Sequence, residues 1–491
     1  MNNLVPRLQT MAAIALLVVL AGCDSDNDNN NGDAVAPTPA PAPVVGTVEV
    51  IHASADAPPV NVFFDDAELV SGADFKDVAT LSLETSASIR VRVDGIVGGS
   101  TEATVIPAGI DPEPAFPLNE GDRVSIIAWD TVTDIKPLVL IDEDPVVPAD
   151  TVRLRVIHAA PGVPTAGDTN VEVWLTAPGA DLTAPPAGTI NAIFALGELL
   201  AGTPIEVPAG DYQIRATIPG DPTAVAYDSG TVALPGGTNL VVLAVPNTNA
   251  ASASPISLLV ATGADPLELQ STDTQSNVRV VHASADAPEV GVLVDGADSG
   301  IRATFPTDPP LGPVALDAGL TTLGVGLLPD PAAAPVISTT VGLVEGGSRL
   351  AVAIGSADPS ADPENAIRII APQDTVRSIA TDAQVRIIHG SVIAQDVNIY
   401  VLPENTLMMA ADIPAGIDPT FPNVPFGEVL GHISLLPGNY DIAVTPVGSR
   451  TPAIGPFLSF PLPAGSISTI IAIDGPNLTT PLGALVIDDT L

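Results

Sequence analysis

One cysteine, Cys23, stands in 491 residues. No disulfide can close within the chain, so each domain must hold by packing alone. Aromatic residues make up only 3%, which leaves Val, Ile, Leu and Ala to build the cores. Basic residues number 16 against 57 acidic ones, a formal net charge of -41. A surface of that sign repels phosphate backbones and excludes nucleic acid as a partner. It attracts cations, among which Ca2+ is the candidate ligand, although the plainer reading is a solubilising surface. The sequence shows no phosphate-binding glycine loop, no metal-ligand cluster and no nucleophile elbow. No catalytic or metal-binding residue is therefore assigned.

What is abundant points to β structure. The chain has 51 Pro, 42 Gly and 46% hydrophobic residues, a composition suited to many short strands joined by turns. No amphipathic helices separate the apolar runs, which disfavours a parallel α/β fold.

The N-terminus reads as an export signal. Arg7 precedes the apolar run from Met11 to Gly22, too short to cross a bilayer and suited to the core of a secretion signal. It ends in Leu20-Ala21-Gly22-Cys23, which resembles the bacterial lipobox. The resemblance implies a signal peptide over 1–22 and a lipid anchor on Cys23. Residues 23–47 follow as a tether: Asp and Asn from Asp24 to Asp33, then alternating Pro up to Pro43, extended as polyproline. The expected location is a bacterial membrane, on its periplasmic or cell-surface side.

The remainder is organised by a repeat. Val50-Ile51-His52-Ala53-Ser54-Ala55-Asp56-Ala57-Pro58 returns as Val280-Val281-His282-Ala283-Ser284-Ala285-Asp286-Ala287-Pro288, with looser copies at His158 and His389. The expected modules are 48–150, 151–272, 273–380 and 381–491. In each, a strand ends at the His, a Val-x-Val strand follows, and a glycine-led strand comes late. Modules two and four also share a Gly-Glu pair, Gly197-Glu198 and Gly427-Glu428, and a turn ending in Tyr212 or Tyr440. His52 to His282 and His158 to His389 are each separated by about 230 residues, so a pair of modules duplicated as a unit. Packing of one with two and of three with four follows from that history. The fold expected is all-β: four tandem Ig-like or Greek-key sandwiches.

The opening His segment, the Val-x-Val strand, the Pro-Ala-Gly-x-Tyr turn and the glycine-led strand together resemble the DUF4397 family. The resemblance implies a bacterial exported protein, and the family carries no settled activity. Modules two and four depart from the Ala-Ser-Ala-Asp-Ala-Pro turn.

His52, His158, His282 and His389 occupy one position in every module. Module two lacks the Ser and Asp that would accompany a catalytic His, and one His per module is too few for zinc. A turn-stabilising His bonded to backbone fits all four. Phe63, Trp174, Leu293 and Tyr400 share one strand position, where the aromatics are candidates for a module–module contact or for stacking on a sugar. Tyr212 and Tyr440 resemble the tyrosine corner of Greek-key sandwiches. Together these features suggest a membrane-anchored envelope lipoprotein with a binding, adhesion or structural role, an envelope protein or polysaccharide being the candidate partner. The rival readings are a polysaccharide-active enzyme centred on the His turn and a calcium-dependent assembly module.

Overall fold

The computed structural model describes residues 44–106, 115–143, 146–163, 170–200, 204–263, 265–407 and 412–490. Cys23, the expected export signal and most of the expected tether lie outside them. The described residues form strands and turns without a helix.

Module one sets the pattern. Its strands are β1 (Val45–His52), β2 (Val60–Phe64), β3 (Ala67–Ala73), β4 (Val78–Glu84), β5 (Ser86–Val97), β6 (Thr101–Ile106), β7 (Ala115–Leu118), β8 (Arg123–Trp129) and β9 (Lys136–Asp142). One sheet runs β4-β1-β8-β9; the other runs β3-β2-β5-β6, with β7 also on β5. All pairs are antiparallel except β1 with β8, which is parallel. β1 starts at Val45, inside the stretch read as tether, because Val45 pairs across to Glu84.

The other modules repeat this layout, each with the parallel first-to-late-strand pair: Thr151–His158 on Thr238–Pro246, Ser276–His282 on Ser348–Ile354, and Ala383–His389 on Ile467–Gly475. The described residues thus form four sandwiches in tandem. Modules three and four divide their strands four and four, and modules one and two four and five, which differs from the ABED–CFG split of a constant-type immunoglobulin domain.

Period-two alternation decides what each face meets. In β1, Val48 and Val50 enter the module's own core, while Ile51 faces the other way. That second face is covered by module two. Ile51, Ile127 and Trp129 of module one pack with Ile157, Leu243 and Leu259 of module two. The equivalent cluster joins Val281, Val352 and Ile354 of module three to Ile388, Ile471 and Leu485 of module four. These are the pairings that the 230-residue period predicts. Hereafter the sheet containing β1, and its counterparts, is the inner sheet; the sheet containing β2 is the outer one.

The inner faces also bury charge. At the first pair, Arg123 holds both Glu49 carboxylate oxygens at 2.8 Å and bonds the Asn239 carbonyl across the interface. At the second, Arg386 lies 2.7 Å from Asp374, while Arg279 sits 2.8 Å from Asp374 and 2.7 Å from Asp489. Arg386, Asp374 and Asp489 are buried. The Gly-Glu motif marks the same contacts. A Cβ on Gly197 would come within 2.4 Å of the Trp129 ring, and one on Gly427 within 2.1 Å of Arg368. Both glycines also have positive φ, 79° and 83°, so a side chain there meets strain as well as the partner module.

The two pairs contact one another along the chain's middle. Arg377 donates to the carbonyls of Ala55 and Ala57 at 3.1 and 2.9 Å, and Gly346 accepts from the amide of Ala250 at 3.0 Å.

Proline falls at the margins. Pro137 lies in β9, and Pro313, Pro422, Pro456 and Pro481 lie inside strands that end their sheets. Among the described residues, the central strands carry Pro only as a last residue, as at Pro246, Pro403 and Pro446. A residue without an amide hydrogen cannot complete a ladder on both sides.

Module two is packed differently from modules one and three. Between its sheets lies an apolar cavity of about 360 Å³, whereas the corresponding spaces in modules one and three are about 10 and 20 Å³.

Candidate functional site

The repeated His closes each module's first strand and meets the turn that follows it. In module one, His52 Nε2 lies 3.1 Å from the Pro58 carbonyl, and the Ser54 amide donates to Nδ1 at 3.4 Å. His282 repeats this with Pro288 at 3.1 Å and Ser284 at 3.3 Å, and His158 with Val163 at 3.3 Å and Ala160 at 3.4 Å. In module four, His389 Nε2 lies 2.5 Å from the Gln395 carbonyl. A carbonyl only accepts and an amide only donates. Three of the rings are therefore the neutral Nε2–H tautomer, with both nitrogens committed to backbone.

Each imidazole also meets a phenyl ring edge to face: Phe75, Phe194, Phe305 and Phe426, at centroid distances of 6.5, 6.4, 6.4 and 6.3 Å. Burial pushes His52, His282 and His389 below the ordinary histidine range, and the bonded carbonyl only partly offsets it. Each is a neutral ring sealed among apolar neighbours.

The acidic residue of the turn has a structural partner of its own. Asp56 accepts from the Val132 amide at 2.9 Å, and Asp286 accepts from the Ala357 amide at 2.9 Å and the Ser356 hydroxyl at 2.7 Å. These contacts tie the turn to the loop after β8 or its counterpart. Module four has Ile393 where Asp56 stands, yet the tie survives in reverse. Asp474, near the end of the strand Ile467–Gly475, accepts from the amides of Val392 and Ile393 at 2.9 and 3.2 Å and from the Ser391 hydroxyl.

The strand register aligns the four outward residues of the second strand. Phe63 pairs with Arg92, Trp174 with Arg215, Leu293 with Gly324 and Tyr400 with Ala443. They lie on the outer sheet, away from the pair interfaces. Arg92 stacks 3.9 Å above the Phe63 ring, Trp174 donates to the Thr217 hydroxyl at 3.0 Å, and Tyr400 packs with Leu407 and Ile413 of its own module. None of these three aromatics belongs to the clusters that join modules; Trp129 does. Tyr212 and Tyr440 donate to the carbonyls of Pro208 and Leu436, four residues upstream, at 2.8 and 2.7 Å. That is the bond of a tyrosine corner.

The fifth histidine escaped the repeat and turns out to face charge. His432 lies on Val429–Leu435, and its Nε2 is buried without a partner. Burial, reinforced by the nearby Arg386 and by Arg279 against Asp374, lowers it to about 4. The unfolded chain binds a proton there below about pH 6.5, and the folded chain refuses it until about pH 4. Stability is then present above pH 6.5 and lost on acidification through that window, by at most ~1.4 kcal/mol per pH unit. Denaturant titrations of wild type and His432→Gln at pH 7 and pH 5 are expected to show the wild type losing more on acidification. Equal losses would refute the assignment.

A tandem β-sandwich protein, built on a backbone-bonded histidine turn, is what these features define. The family model for a domain of unknown function, DUF4397, matches residues 46–166 and 276–400; the chain belongs to that family. No curated protein matches the sequence. Among solved structures, the chain is similar to one described as the structure of the Streptococcal ancillary pilin. The identity is 13%, covering 61% of this chain and 95% of that one at a TM-score of 0.13, and this likeness bears on no conclusion here.

Proposed function

We propose that this is an exported, lipid-anchored envelope protein whose four sandwiches have a non-enzymatic binding, adhesion or structural role. One observation carries the non-enzymatic part. The only titratable ring repeated in every module is committed to backbone and packed against Phe, leaving no free nitrogen for proton transfer in modules one to three. The lipobox-like segment ending at Cys23 supports the anchor, and several acyl chains there hold a protein stably at a membrane. All four modules are read as copies of one family domain, since modules two and four keep the histidine, the Phe contact and the sheet layout.

The test uses the full chain in a Gram-negative host. Labelling with a palmitate analogue is expected to mark the wild type and not Cys23→Ala, and the variant is expected in the soluble fraction. Purified chain is then offered envelope proteins and glycans with and without millimolar calcium. A wild type that is never acylated sinks the anchoring. Polysaccharide turnover abolished by His52→Gln at an unchanged melting temperature returns the enzyme reading. Partner capture or self-association only with calcium favours an assembly module.

A further inference from the structure

We propose that module two binds a single linear acyl chain between its two sheets. The site is the cavity of about 360 Å³ described above, more than twice the ~150 Å³ of an apolar cavity that takes up benzene. It lies within the size range of small-molecule sites, about 300–1,000 Å³. By that scale it accommodates about a dozen carbons.

The fold does not by itself require the space. Modules one and three share the topology and are filled at the same place. The register shows one cause. Val62 faces Val93, Val292 faces Val325 and Ile399 faces Val444, but Val173 faces Ala216. Module two has the smallest side chain at that position. Module one also brings in Phe116 and Leu118 from β7.

The lining dictates the ligand's chemistry. Val156, Val173, Leu175, Phe194, Leu240 and Leu258 are representative, and among the described residues no charged side chain lines the space. The deepest hydroxyl, that of Tyr227, is spent on the Leu269 carbonyl at 3.0 Å. A buried headgroup would find no partner, so recognition is of hydrocarbon alone. Thr238, Thr262, Pro235 and Leu267 lie together at one end, where the strand Thr238–Pro246 begins. Leu267 is 51% exposed there. That end is the mouth, and a polar head remains in water beside it. The site stands apart from the anchoring reading and needs no lipid on Cys23.

Dodecanoic acid titrated into the full chain, by displacement of the fluorescent probe N-phenyl-1-naphthylamine, is expected to saturate at one equivalent. Dodecanol is expected to bind within threefold of the acid. Ala216→Leu fills the space and is expected to weaken both at least tenfold while holding or raising the melting temperature of the free protein. Val173→Leu, on the facing strand, repeats the test should Ala216→Leu fold poorly. Vesicles of didodecanoyl phosphatidylcholine separate the sources of the chain: lipid recovered with the protein means a membrane acyl chain, and recovery of none alongside acid binding means a free fatty acid. No saturable binding, several equal sites, or undiminished binding in both filled variants overturns the proposal.

Discussion

Arg386→Met is expected to destabilise the paired modules three and four by about 3–5 kcal/mol. Arg386 lies 2.7 Å from Asp374 and bonds the Thr469 hydroxyl at 2.9 Å, and its side chain is 1% exposed. Its removal leaves Asp374 and Asp489, both almost fully buried, sharing Arg279 alone. An excess negative charge in that setting lacks both water and a counter-ion, and the cost follows from the group left behind. Adding Asp489→Asn should recover much of the loss by removing the excess. Arg302→Met is the control: its pair with Asp298, at 2.7 Å, is about one-third exposed on each side, and a solvent-screened surface pair contributes little. Denaturant midpoints decide it. A loss no larger than that of the control, or no recovery in the double variant, contradicts the buried network.

His282→Ala should cost about 2.5–7.5 kcal/mol. It unpairs the Pro288 carbonyl and the Ser284 amide, each worth about 1–3 kcal/mol when left buried. It also removes the edge contact with Phe305, which adds about 0.5–1.5 kcal/mol. His432→Ala serves as the comparison, since its Nε2 has no bond to lose. Equal midpoints for the two variants would show that the turn does not depend on its imidazole.

Much of this architecture was legible in the residues. Alternation located the strands, and Asp295-Gly296 is a hairpin pair whose turn the structure forms with φ of 50° and 79°. The histidines could be aligned because each sits at the end of a strand with a clear pattern. What escaped was whatever depends on the far side of a sheet. Val385-Arg386-Ile387 reads as a half-solvated strand, yet Arg386 is buried, because a second module covers the face that alternation assigns to water. The Phe partners were hidden by uneven spacing. Phe75, Phe305 and Phe426 follow the third strand of their modules, whereas Phe194 lies within it. Asp474 shows another limit: the carboxylate missing from one turn reappears some eighty residues later, near the end of the strand that the turn packs against. Volume escaped too, since Ala216 looks unremarkable until the register sets it against three valines.

Prolines at the outermost strands govern what happens when many copies are crowded together. A flat rim with every amide free is a template onto which a neighbour's strand can splice, and from there fibrils grow. Pro137, Pro422, Pro456 and Pro481 interrupt that template. They oppose the splicing of one copy's sheet onto another's in a chain rich in β structure and poor in positive charge.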